Sequence, residues 1–175
     1  MTYAIRSFGS VVAAFVVLFG TIAAPPVPAQ GFFGGVPIDS IRCDRMEGAV
    51  EHIHAHLALF DRGRGVEVPA GIGIPGGANC LYWLHTHRPD GFVHIESPAR
   101  RTFTLGEFYD VWGLELGSTV AGGVRAGRGR TLRVTVDGKP WRGNPRNIVL
   151  HDHQSIVIQA GPPFARPRRV DWSRV

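Results

Sequence analysis

"YWLHTHRPDGFVHIESP", residues 82–98, reads as two strands around a turn. "CLYWLHTH" and "FVHIES" carry the aromatic and β-branched residues that strands favour, and "RPDG" between them is a strong turn signal. Side chains alternate along a strand, and residues directly opposed across a hairpin share a face. A two-residue turn at Asp90-Gly91 pairs His87 with His94 and His85 with Glu96. A four-residue loop, Arg88 to Gly91, pairs His85 with His94 instead. Either register puts His85, His87, His94 and Glu96 on one side, with Tyr82, Leu84, Val93 and Ile95 on the other. A three-residue loop would turn His94 away, because a one-residue slip flips faces.

The same division appears upstream. "EHIHAHLALF" (residues 51–60) alternates, with His52, His54, His56 and Ala58 on one face and Ile53, Ala55, Leu57 and Leu59 on the other. "DRGRG" then turns the chain, and "VEVPAGIGIPGGA" holds too much Gly and Pro for a long regular strand. "TLRVTV" runs into Asp137-Gly138, a dipeptide that favours tight hairpins, and "NIVLHDH" and "SIVIQAG" read as two more strands. The one helix expected is "TLGEFYDVWG", where Thr104 and Glu107 have capping-box spacing and Gly113 can end it. The pattern predicts a mainly β fold, an antiparallel β-sandwich or barrel with one short helix near 104–113.

A chain of 175 residues that is 44% hydrophobic suits one domain with an adequate core, and 23 Gly and 13 Pro favour turns over long helices. The net charge of +5 is scattered, with no basic stripe in an aromatic or motif context, so no nucleic acid partner is expected. Arg6, the apolar run Val11 to Ala24 and the small residues before Gln30 form an export signal over 1–29, with cleavage after Ala29. The apolar run is shorter than the roughly 20 residues of a spanning helix, so no stable membrane span is expected after processing. The His-rich β domain then covers 30–162, and the basic segment 163–175 reads as a flexible tail. The processed protein is expected to be periplasmic or extracellular.

There, the two cysteines, Cys43 and Cys80, read as one disulfide tying the start of the domain to the strand bearing His85 and His87. The competing reading makes Cys80 a thiolate ligand of a blue-copper centre. Such centres usually want an axial methionine, and Met46 lies outside any Cys-His-Met run. The disulfide is therefore the expectation.

Imidazole suits zinc, copper, nickel and ferrous iron, and His at i and i+2 on a strand can reach one ion. The eight histidines fall into three patches: His52, His54 and His56; His85, His87 and His94; His151 and His153. We expect a copper or zinc ion held by His54, His56, His85, His87 and His94, with His52, His151 and His153 as further candidates. Glu96 stands beside them as a ligand, an acceptor that orients an imidazole, a proton-transfer group in catalysis, or simply a partner for an arginine.

At these residues the sequence resembles a family. "HIHAHLALF", "VPAGIGI", "YWLHTHRPDGFVHIESP" and "FTLGEFYDVWG" are similar to exported bacterial proteins of unassigned function. In that family H-I-H-x-H-L, H-T-H-x-x-x-G-x-I-H-I-E-S-P and F-T-L-G-x-F-x-D-x-W-G recur in this order. The resemblance spans Cys43 to about Gly161, and Phe92-Val93 stands where the family has an aliphatic pair. It implies export but no activity. "HIHAH" is also similar in ligand spacing to the first copper-binding strand of copper-zinc superoxide dismutases, whose later motifs are missing here. "WLHTH" resembles the start of the JAMM metalloprotease motif, but Arg88, Ile95 and Pro98 replace what should follow.

Two classes of function follow from these residues. One is a metal-binding protein for acquisition, storage or delivery of copper or zinc outside the cytoplasm. The other is a metalloenzyme: a zinc hydrolase or hydratase acting through a metal-bound hydroxide, or a copper redox enzyme. An enzyme needs a pocket with an open coordination position and an acid or base such as Glu96. A carrier needs only accessible histidines.

Overall fold

Two periods of alternating side chains build the centre of the molecule. The structure is a computed structural model that describes residues 35–175. The export signal expected over 1–29 lies outside the described residues. In chain order the strands are β1 (Cys43–Asp44), β2 (Glu51–Asp61), β3 (Arg64–Val66), β4 (Leu81–Tyr82), β5 (Leu84–His85) and β6 (Phe92–Ser97). Helix α1 (Leu105–Trp112) follows, then β7 (Val120–Ala121), β8 (Val124–Arg125), β9 (Thr131–Val136), β10 (Lys139–Pro140) and β11 (Gln154–Gly161). The fold is mainly β with mixed sheets and one short helix, arranged like a sandwich.

The principal sheet has seven strands in the order β10-β9-β11-β2-β6-β5, with β3 also pairing to β2. It is open, ending in β10 and β5. All its pairs are antiparallel except β2 with β11, which run parallel in the middle of the sheet. A parallel neighbour needs a crossover, and here the whole run from β3 to β10, α1 included, lies between β2 and β11. Two small ribbons, β1 with β4 and β7 with β8, complete the sheets.

One face of the principal sheet is apolar. Ala55, Leu57 and Leu59 of β2, Val93 and Ile95 of β6, Leu84 of β5 and Ile156, Ile158 and Ala160 of β11 are all buried there. Phe103 and the α1 residues Leu105, Phe108, Tyr109, Val111 and Trp112 complete this core. Each large aliphatic or aromatic side chain buried in this way contributes about 1.5–3 kcal/mol relative to exposure. The helix is set by its ends. Thr104 accepts from the backbone of Glu107, whose carboxylate accepts from the backbone N–H of Thr104 at 2.7 Å. Gly113, at φ 75°, closes the last turn from the left-handed region.

The hairpin at Asp137-Gly138 forms as expected, pairing Val136 with Lys139. "NIVLHDH" differs from the expected strand. Asn144 caps a single 3-10 turn at Pro145–Asn147, and only an isolated bridge from Val149 to Thr104 follows. Pro145 pre-sets that turn and lacks a ladder donor. Ile148 and Leu150 still reach the core. The segment 163–175, expected as a flexible tail, lies back over the other face of the sheet. Trp172 rings meet Phe92 and His153, Arg133 sits over Phe164, and Arg174 pairs with Asp90 at 3.0 Å. Its aromatic residues find apolar surface there, which the basic composition of the segment hides. No described helix is long and apolar enough to cross a membrane.

Candidate metal centre

The face opposite the core carries the histidines because each strand places i and i+2 on the same side. The β5–β6 register is that of the four-residue loop, with His85 opposite His94. On its other edge β6 pairs His94 with His54 and Glu96 with His52. His54, His94 and His85 therefore form one lateral row across three strands, with His52 and Glu96 in the next row. The ring centroids of His54 and His94 lie 4.6 Å apart, and those of His85 and His94 5.4 Å.

His85 is the anchor of this row. It is fully buried, and its Nδ1–H donates to the carbonyl of Tyr82 at 2.8 Å. A carbonyl only accepts, so the proton sits on Nδ1 and Nε2 keeps its lone pair. That lone pair lies 3.1 Å from Nε2 of His87. Burial lowers the His85 pKa to about 4, against the opposing pull of the Glu96 carboxylate and the Tyr82 carbonyl. At neutral pH the ring is an uncharged donor, which is the form a metal needs.

The chain after His85 leaves β6 and is clasped by the Gly- and Pro-rich loop. Thr86 Oγ1 donates to the carbonyl of Pro69 at 2.8 Å and accepts from the N–H of Ile72 at 3.1 Å. The backbone of Thr86 also bonds Ile72 and Gly71. Gly73, at φ 72°, lets the loop press in, since a Cβ there would lie 2.4 Å from the carbonyl oxygen of Leu84. This clasp fixes the backbone at Thr86, between His85 and His87.

Glu96 is the second buried polar group of the site, at 2% exposure. Its Oε1 accepts from Nδ1 of His94 at 3.1 Å and faces Nε2 of His52 at 3.3 Å. Its Oε2 has no hydrogen-bond partner and lies 3.8 Å from Nε2 of His85. Burial pushes the carboxyl pKa up, but the His94 hydrogen bond and the neighbouring imidazoles outweigh it and hold the pKa below the ordinary carboxylate range. Glu96 is thus an anion without full hydrogen bonding, a costly state in a protein interior unless a cation completes it.

Ligand atoms of His85, His87, His94 and Glu96 all lie within 4.8 Å of one another, so this group, with His85 and Glu96 buried and His87 exposed, could hold a metal ion. A second group, His52, His54 and Glu96, meets the same condition. Of the five histidines expected at one ion, three meet with Glu96, and His54 joins the second group with His52. His56 shares their face but turns aside, its Nε2–H donating to the Asp90 carbonyl at 3.0 Å while Nδ1 is buried without a partner. Its ring packs edge-on to Phe92. His151 and His153 are exposed and belong to neither group; His153 stacks on Trp172.

Sequence reasoning missed Glu47, whose Oε1 comes within 3.4 Å of Nε2 of His87. The signal that could have found it is the cysteine pair. Cys43 and Cys80 form a disulfide with Cα atoms 5.3 Å apart, drawing the loop after Cys43 toward the strand before His85. The bond fits an oxidising environment. The large clefts, of about 710 and 780 Å³, lie under residues 165–174 and are reached by His56 and His153 rather than by His85, His87 or His94.

No family model, no curated protein and no solved structure matches the chain. The functional reading therefore rests on the site's own chemistry.

Proposed function

We propose that the protein is an exported metal-binding protein that handles copper or zinc outside the cytoplasm, with His85, His87, His94 and Glu96 as its principal ligands. The observation that carries this reading is the buried, unpartnered Oε2 of Glu96 facing the lone pair of His85. A carboxylate in that position among three imidazoles is what a divalent cation would neutralise. Export is supported by the disulfide, by the apolar run read as a signal over 1–29, and by the resemblance to exported bacterial proteins at the H-T-H stretch. We favour a carrier over an enzyme because a carrier needs accessible histidines, and His52 and His87 are exposed at the two groups. Nitrogen ligands place copper(II) above zinc in raw affinity, so copper should bind more tightly when both are offered.

The test is a titration of metal-free protein with Zn²⁺ and with Cu²⁺, followed by thermal unfolding. The parent should take up either ion stoichiometrically and gain stability; an ion at 100 times its Kd adds about 2.7 kcal/mol. Replacing His85 and His87 together by Ala should remove tight binding and that gain, while the apolar face keeps the fold. A double variant that binds as much metal, as tightly, as the parent would refute the assignment.

A further inference from the structure

We infer that the site is built for two ions, with Glu96 as the carboxylate that bridges them. The inference rests on the reading that the His85 group binds metal, and it adds a second ion held by His52 and His54. Glu96 is the one residue common to both ligand groups. Its Oε1 stands 3.3 Å from Nε2 of His52 while also accepting from Nδ1 of His94, and its Oε2 stands 3.8 Å from Nε2 of His85. A carboxylate that presents one oxygen to each of two imidazole sets has the geometry of a bridge.

The backbone explains why one residue can do this. In the sheet, Glu96 is directly opposite His52, while His94 is directly opposite both His54 and His85. Glu96 and His94 are two residues apart on the same face, so the carboxylate lies between the β2 histidines and His85 of β5. His94 donates from Nδ1 to Oε1 of Glu96 at 3.1 Å, which fixes the carboxylate and frees Nε2 of His94 as the ligand nitrogen.

The two positions differ in ligand number and in how many ligands are buried. The first group has buried His85 and Glu96 beside half-buried His94 and a 41% exposed His87, while the second has the 53% exposed His52 and half-buried His54 with Glu96. The inner ion would have three imidazoles and one carboxylate oxygen, a complete tetrahedral set. The outer ion would have two imidazoles and one carboxylate oxygen, which leaves an open position toward solvent. Such a pair suits borderline first-row divalent ions, the outer one exchanging more readily than the inner. Two-metal sites place their ions about 3.5–4 Å apart, close enough for two copper(II) spins to interact.

The experiment is a Cu²⁺ titration of the metal-free full chain, read by bound copper per chain and by electron paramagnetic resonance. The parent should bind two equivalents, and the half-field signal of a coupled pair should grow as the second equivalent is added. His52→Ala with His54→Ala should bind one equivalent and lose that signal. Glu96→Gln should lose the signal as well. Should the double variant fail to fold, His52→Ala alone should weaken the second copper at least tenfold and leave the first unchanged.

One equivalent in the parent, abolished by His85→Ala with His87→Ala, would overturn the second site and leave the proposed function standing. No tight copper at all would overturn both. Two equivalents that persist in the His52, His54 double variant would place the second ion elsewhere, and two equivalents without a coupled signal would exclude the bridge. Either result overturns the inference.

Discussion

Replacing Cys43 and Cys80 together by Ser should cost about 4 kcal/mol of stability, and the figure follows from the loop the disulfide closes. The two residues are 37 positions apart, and the loop contains β2 and β3. Cross-linking a chain at that separation removes roughly 13 cal/mol/K of entropy from the unfolded ensemble, or about 4 kcal/mol at 25 °C. The folded state should lose little besides the bond itself. Cys43 would still pair with Tyr82 in the β1–β4 ribbon, and Trp83 Nε1 would still donate to Asp44 at 2.8 Å. The assay is urea unfolding of metal-free protein at pH 7, parent beside variant, with the slope and the midpoint fitted separately. At about 2–4 °C per kcal/mol for a domain of this size, Tm should fall by about 8–16 °C. A loss below about 1 kcal/mol with an unchanged slope would refute the reasoning, because the disulfide would then constrain nothing that the fold does not already fix.

Two further outcomes test other parts of the structure. Gly91→Ala should destabilise the protein by at least about 2 kcal/mol, since Gly91 has φ 84° and an added Cβ would lie 2.4 Å from the carbonyl oxygen of Leu57; chemical denaturation measures it, and a neutral substitution would show that the β5–β6 turn can shift away from β2. Stability of the metal-free protein should fall as the pH is lowered from about 6.5 toward 4. Burial depresses the folded pKa of His85 to about 4 from an ordinary 6.5, so in this window the unfolded chain binds the proton and the folded chain does not. At about 1.4 kcal/mol per pH unit, this residue alone accounts for a loss of about 3 kcal/mol. His54 and His56, both lowered chiefly by burial, act in the same direction. Urea midpoints that stay level between pH 7 and 4.5 would contradict the burial of His85.

Much of the site was legible because parity is a strict constraint. Once "CLYWLHTH" and "FVHIES" were read as a hairpin, an even loop left His85, His87, His94 and Glu96 no choice of face, and the apolar set beneath them fixed which face was core. The helix was legible for a similar reason, since Thr104, Glu107 and Gly113 each answer a backbone need at a particular end. Register was not legible, because two-residue and four-residue loops satisfy the same alternation. The division of the histidines into two groups depended on that register and on the β2–β6 pairing, which no local pattern encodes. His56, expected with the other four histidines, stands outside both groups because a strand pattern gives its face but not the Asp90 carbonyl that draws its ring away. Glu47 and the course of residues 163–175 come from contacts between segments distant in sequence, with no periodicity to announce them.

The opposition of donors and core across single strands has an engineering consequence. In β2, Ile53, Ala55, Leu57 and Leu59 face the apolar interior while His52 and His54 face the other way, and in β6 Val93 and Ile95 face the interior while His94 and Glu96 face the other way. Changes on one side leave the spacing and direction of the other unaltered, and substitutions without shared contacts combine additively. The ligand row can therefore be rewritten, for instance with carboxylates for harder ions or thiolates for softer ones, while Ala55, Leu57, Val93 and Ile95 continue to hold the strands in register. The sheet is in that sense a ruled surface of fixed pitch on which a different coordination chemistry could be inscribed.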